Sequence, residues 1–171
     1  MQNRFIQYLA TLHSNSEKRA VGFLFEAIAD KFSSVAMTTA GLLISATTTK
    51  AKIGAADFYA TVRGMLVKIA AGTDMPVLVG TVTNGRFNVF CFFVDAAGVT
   101  SVAMGTEATT LAGVKWPDFP LLKCPIGWVL INPTGTGNFV GGTTALGDVT
   151  VVPNAVYMSP VGAVDPTILY A

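Results

Sequence analysis

One histidine, His13, and two cysteines, Cys91 and Cys124, are the only imidazole and thiol groups in the 171 residues of the chain. A zinc site of ordinary ligand spacing needs more of them, set closer together. A Cys–His nucleophile pair would require His13, between two expected helices, to meet a cysteine in an apolar run. The nucleophile-elbow pattern G-x-S-x-G is absent. The glycine-rich run "TGTGNFVGGTTALGDVTV" (134–151) is the other place where chemistry is conceivable, since glycine-rich loops cradle phosphates. Its glycines are Gly135, Gly137, Gly141, Gly142 and Gly147, and the run holds no lysine or arginine. The P-loop pattern G-x-x-x-x-G-K-[ST] therefore fails, and the third glycine of a dinucleotide fingerprint would fall on Val140. We expect Gly141-Gly142 and Thr143-Thr144 to shape a turn, with Thr134, Thr136 and Asn138 bonding the exposed loop.

The carboxylates give no stronger signal. Asp74, Asp95, Asp118 and Asp148 adjoin turn residues, where aspartate bonds nearby backbone amides. A paired-carboxylate glycosidase site leaves no linear trace, and no feature favours one. Trp116 and Trp128 suit either sugar stacking or a core, the core being the commoner use of a buried tryptophan. Cys91 and Cys124 are expected as buried free thiols. These residues point to a structural or binding protein with no cofactor and no bound metal, not to an enzyme.

Composition says what kind of partner to look for. The chain is 51% hydrophobic and 12% charged, against about 25% charged in ordinary soluble domains. So little charge solvates a free monomer poorly. A membrane span needs about 20 consecutive apolar residues, and "VAMTTAGLLISA" (35–46) and "FNVFCFFV" (87–94) are too short. The N-terminal "MQNRFIQYLATLHSNSEKRA" lacks the unbroken apolar core of a secretory signal. Burial against copies or partners is the remaining account. The net charge of +1 divides into eight bases against four acids over residues 1–68, and three against six over 69–171. That is too weak a basic patch for nucleic acid, but it allows one copy's head to attract another's tail.

The elements that must position these groups follow from periodicity. "SNSEKRAVGFLFEAIADKF" (14–32) opens with Ser14 and Glu17 at capping-box spacing. Val21, Leu24, Phe25, Ile28 and Phe32 then form the apolar stripe of an amphipathic helix, with Lys18, Glu26 and Asp30 opposite. A shorter helical piece over 3–12 offers Phe5, Leu9 and Leu12. After Phe32 the pattern changes to threonine-rich and alternating runs, including "SSVAMTTAGLLISATTTKAKI" and "FYATVRG", then short apolar runs between turn signals. Asn84-Gly85 reads as a hairpin dipeptide. "FNVFCFFV" is apolar on both alternating faces, so both sides of that strand should be covered, one by the domain's own core and the other by the helix or a neighbouring copy. The expected fold is α+β and mainly β: an N-terminal helical arm over 1–33, then an antiparallel sandwich or barrel-like domain over 34–171.

An ordered series of segments adds a family resemblance. "AAGTDMPVL" (70–78), "NGRFNVFCFFVDAAGVTSVAMG" (84–105), "WPDFP" (116–120), "KCPIGWVLINPTGTGNFVGGTTALG" (123–147) and "VYMSPVG" (156–162) together resemble small β-rich structural proteins of tailed bacteriophages. The resemblance spans roughly 60% of the chain, from Phe58 to Gly162, and excludes residues 1–33. It implies a non-enzymatic virion component of the head-decoration or head-fibre kind: a homo-oligomer, with a trimer expected, bound to the major capsid protein on the capsid surface after assembly in the host cytoplasm. A tail, baseplate or fibre component is the rival within the same class, and a carbohydrate-binding module using Trp116 or Trp128 the rival from another. On the capsid reading, Val21, Leu24, Phe25, Ile28 and Phe32 are the expected partner contacts.

Overall fold

The computed structural model describes residues 15–164. The expected helical piece over 3–12, with Phe5, Leu9 and Leu12, lies outside them, as do His13 and the capping residue Ser14. Among the described residues, one α-helix, α1 (Asn15–Ser33), precedes eleven strands. These are β1 (Val35–Ala36), β2 (Leu43–Ile44), β3 (Ala51–Lys52), β4 (Phe58–Val62), β5 (Met65–Ile69), β6 (Thr81–Val82), β7 (Asn88–Asp95), β8 (Thr100–Met104), β9 (Lys123–Ile131), β10 (Phe139–Val140) and β11 (Val156–Met158). The chain is thus α+β and mainly β, with every strand pairing antiparallel.

Four sheets form: β1-β4-β5, β11-β9-β7-β8, and the two-stranded pairs β10-β6 and β2-β3. One apolar cluster joins them. Phe58, Ala60 and Val62 from β4, Phe90, Phe92 and Val94 from β7, Ile126 and Val129 from β9, and Phe139 from β10 all belong to it. The alternation of β4 sets Phe58, Ala60 and Val62 inward while Tyr59 and Thr61 stay half-buried.

Both faces of β7 are covered, as its sequence requires. Val89, Cys91 and Phe93 lie in a second apolar cluster with Val114 and Trp128. The cover on that side is neither the helix nor, within this chain, an open face awaiting a copy. It is the irregular segment between β8 and β9, which contributes Val114, Trp116 and Phe119 around a 3-10 turn at Leu111–Gly113. Bridges at Phe87↔Ala108 and Thr106↔Lys115 lay that segment across the sheet. It carries no periodicity from which its role would be read.

The tight hairpin sits where it was not expected. Thr83 to Arg86 do form a turn, with Arg86 N donating to the Thr83 carbonyl at 3.0 Å and Gly85 at φ 77°. Yet β6 and β7 on either side of it belong to different sheets. A two-residue type I′ hairpin needs positive φ at both central residues, and Asn84 does not have it. Its amide group instead donates to the Gly135 and Gly137 carbonyls at 2.8 and 3.0 Å, and its backbone N–H donates to Asn138 Oδ1 at 2.9 Å. The dipeptide ties down the glycine-rich loop. Arg63-Gly64, at φ 53° and 77°, closes the β4–β5 hairpin between the paired residues Val62 and Met65.

Candidate interaction surface

Asp95, Asp148, Glu107 and Asp74 each accept hydrogen bonds from nearby groups. Asp95 Oδ1 accepts from Ala97 N and Val99 N, both at 2.9 Å, closing the β7–β8 turn. Asp148 accepts from the hydroxyl and backbone N–H of Thr150, which hold its carboxyl below the usual carboxylate range. Glu107 is lowered chiefly by the backbone N–H of Thr83. A general acid at neutral pH needs the opposite shift. Asp74 accepts from the Ser45 hydroxyl.

Cys91 and Cys124 are buried and unbridged. Val94, not Cys91, stands opposite Cys124, and the two thiols belong to different apolar clusters on opposite faces of the sheet. Desolvation pushes the Cys91 thiol far up and the Cys124 thiol to about 12, so neither supplies thiolate at neutral pH. Trp128 is 5% exposed and offers no face to a sugar. It meets Trp116 edge-on at 4.9 Å, and Trp116 meets Phe119 at 6.1 Å.

The glycine-rich run is a turn and a close backbone crossing. Thr143 N and Thr144 N donate to the Val140 carbonyl, and Val140 N donates to Thr144 Oγ1 at 3.0 Å. A Cβ at Gly141 would stand 2.6 Å from the Leu78 carbonyl oxygen, and one at Gly135 only 1.9 Å from that of Thr150. Asn138 takes the Asn84 bond, and Thr134 Oγ1 accepts from Asn154 at 3.3 Å. Phe139 drops from this run into the core, edge-on to Phe90 at 5.9 Å.

What remains is α1. Its C-terminal end is fixed to the β4–β5 turn: Gly64 N donates to the Ser33 carbonyl at 3.0 Å, and Arg63 N donates to Ser34 Oγ at 3.2 Å. One of the terminal carbonyls of the helix is thereby satisfied. Glu17 in the first turn complements the positive end of the helix dipole. A cleft of about 470 Å³ separates the helix from the sheet, lined by Phe23, Glu26, Ala29 and Ser33 on one wall and Arg63, Leu121 and Leu122 on the other.

That lining fixes the rotation of the helix. At about 100° per residue, the cleft-facing residues and the apolar stripe centre roughly 140° apart. The stripe therefore turns away from the chain's own sheets. Leu24 is 58% exposed, Phe25 46%, Ile28 43% and Phe32 75%, while Val21 is half-buried. Among the described residues, none of them is part of the two apolar clusters of the β-domain. The five residues of the stripe share one side of α1, with Leu24, Ile28 and Phe32 well exposed on it. Sequence reasoning missed Phe23, Leu121 and Leu122, which are 70%, 73% and 48% exposed and line the cleft. An aromatic residue off the stripe, at Phe23, was the available signal for the first. Among the described residues, no group of His, Cys, Asp and Glu is arranged to hold a metal ion, and no helix is long and apolar enough to cross a membrane. Comparison with protein-family models, with curated proteins and with solved structures found no match to this chain.

Proposed function

We propose that the chain is a non-enzymatic structural protein of a tailed-bacteriophage virion, a subunit that decorates or cements the head as a small homo-oligomer. The observation that carries this reading is the exposure of Leu24, Ile28 and Phe32 on one side of α1, a helix anchored at its C-terminal end to a β-domain with a closed core. The ordered segments between Phe58 and Gly162 supply the virion context. The buried thiols and turn-bound carboxylates fit an adhesive role.

The mechanism is burial. Taking an aromatic side chain as about 150–250 Å², the exposed parts of Leu24, Phe25, Ile28 and Phe32 come to roughly 450 Å². At about 25 cal/mol per Å² that is on the order of 10 kcal/mol per subunit before association costs. Repetition over a shell multiplies such contacts. The test is co-sedimentation of the purified protein with phage heads and, separately, with tails. Binding to heads with a raised disruption temperature is the expected result. Binding to tails alone moves the protein to the tail or fibre class, and binding to neither overturns the virion reading.

A further inference from the structure

We propose that Asn84 is a self-modifying latch: its intact carboxamide pins the glycine-rich loop, and spontaneous deamidation at Asn84-Gly85, once that loop opens, releases it irreversibly. The latch does not depend on the protein's belonging to a virion.

Asn84 is the only asparagine of the chain followed by glycine. That pair favours cyclisation, because glycine lacks the Cβ that would hinder attack by its own backbone nitrogen. The Gly85 nitrogen attacks Asn84 Cγ and gives up its proton. An N–Cγ bond forms, and the Cγ–Nδ2 bond breaks with release of ammonia. Water then opens the cyclic imide at either carbonyl, leaving aspartate or isoaspartate. The step needs no reagent besides water.

The fold opposes each part of it. The attacking N–H is engaged by the Pro133 carbonyl at 2.7 Å. The departing amide nitrogen donates to the Gly135 and Gly137 carbonyls at 2.8 and 3.0 Å. The backbone N–H of Asn84 is held by Asn138 Oδ1 at 2.9 Å. Asn84 and Gly85 are nonetheless exposed, so water reaches them as soon as these bonds part. Modification therefore proceeds from the opened loop, at a rate set by how often it opens.

The product cannot remake the latch. A carboxylate only accepts hydrogen bonds, so position 84 would turn an anion toward two carbonyl oxygens to which it had donated. Arg86, two residues on, already meets Glu107 at 3.6 Å. Isoaspartate also adds a carbon to the backbone, lengthening the turn that Arg86 N closes on the Thr83 carbonyl at 3.0 Å. What loosens next is the crossing beyond, where Gly135 N donates to the Val151 carbonyl at 3.3 Å and Thr136 N to that of Thr150 at 2.6 Å. Phe139, buried in the core, bounds the released segment.

The test has two arms on the full-length chain. Peptide mapping by mass spectrometry follows Asn84 at mildly alkaline pH, in the folded protein and in denaturant. The expected result is modification at least roughly tenfold slower in the folded protein, with Asn84 the first asparagine to react in denaturant. Equal rates in the two states overturn the proposal. Amide hydrogen exchange then compares the parent with Asn84→Asp. Exchange at Gly135 and Thr136 roughly tenfold faster in the variant, with the core strands still protected, supports the latch. Unchanged exchange at those two amides overturns it, as does faster exchange throughout the β-domain, since Asn84 would then hold the core and not the loop. Should Asn84→Asp fail to fold, the parent aged in the folded state supplies the modified chain, separable by its added negative charge. Faster loop exchange in that fraction supports the latch, and equal protection in both fractions overturns it.

Discussion

β7 and α1 each carry a marked apolar pattern, and the two patterns meet different fates. In β7, Val89 to Val94 are all 1% exposed or less. One face is covered by the main core and the other by the segment carrying Val114, Trp116 and Phe119. In α1, Leu24, Phe25, Ile28 and Phe32 are all more than 40% exposed, although the helix is tied to the β4–β5 turn at its end. An apolar pattern states that a surface needs a partner. It does not say whether that partner lies in the same chain. For β7 the cover is internal; for α1 the stripe faces away from the cleft lined by Arg63, Leu121 and Leu122.

Substitutions should separate these two regions sharply. The largest effect is expected at Phe92→Ala, which empties a fully buried position in β7. It should cost about 3–5 kcal/mol, read as a lower denaturation midpoint with little change in slope. A midpoint shift worth less than about 1 kcal/mol would mean that β7 is not the core strand that its burial indicates. Next comes Gly135→Ala, where the new methyl collides with the Thr150 carbonyl and the backbone crossing must open. A loss of about 1–3 kcal/mol is expected, and an unchanged melt would show that the crossing is not tight.

A smaller effect should appear at alkaline pH. Burial raises the Cys124 thiol from 9.0 and the Tyr157 hydroxyl from 10.0, each to about 12, and raises Cys91 further. The unfolded chain loses these protons first, so it binds fewer protons than the native state above pH 9.0 and stability falls as pH rises. The contribution is fully present below pH 9.0 and is lost progressively up to about pH 12. Melting temperature should decline more steeply over that window in the parent than in Cys124→Ala, with each compared to its own value at neutral pH. Parallel slopes would show that Cys124 titrates as an exposed thiol. At neutral pH, thiol reagents should label neither cysteine until denaturant is added.

How much of this was legible in the sequence depended on whether a residue's partner was near or periodic. The stripe of α1, the double burial of β7 and the turn around Gly141-Gly142 each rest on local spacing, and each was readable. The cover over Cys91 and Phe93 was not, because the segment from Gly105 to Pro120 follows no period and acts through long-range contacts of Val114, Trp116 and Phe119. The hairpin went to Arg63-Gly64 although Asn84-Gly85 carries the stronger local preference. Asn84 is held by three hydrogen bonds to residues 51 to 54 positions away, and no local propensity encodes these. The open face of α1 was half-legible: its residues were evident, but its direction depended on Leu121, Leu122 and the β4–β5 turn.

The central claim is that the stripe of α1 serves another chain and not its own β-domain. The most direct test is the thermal melt of the parent and of Ile28→Asp over a range of protein concentrations, followed by the fluorescence of Trp116 and Trp128. Stabilisation by self-association makes a melting temperature depend on concentration. The account predicts that the parent's transition rises with concentration, that the variant's does not, and that the two converge on dilution. A variant that unfolds at every concentration would contradict it, because a carboxylate at position 28 would then be disrupting the protein's own core.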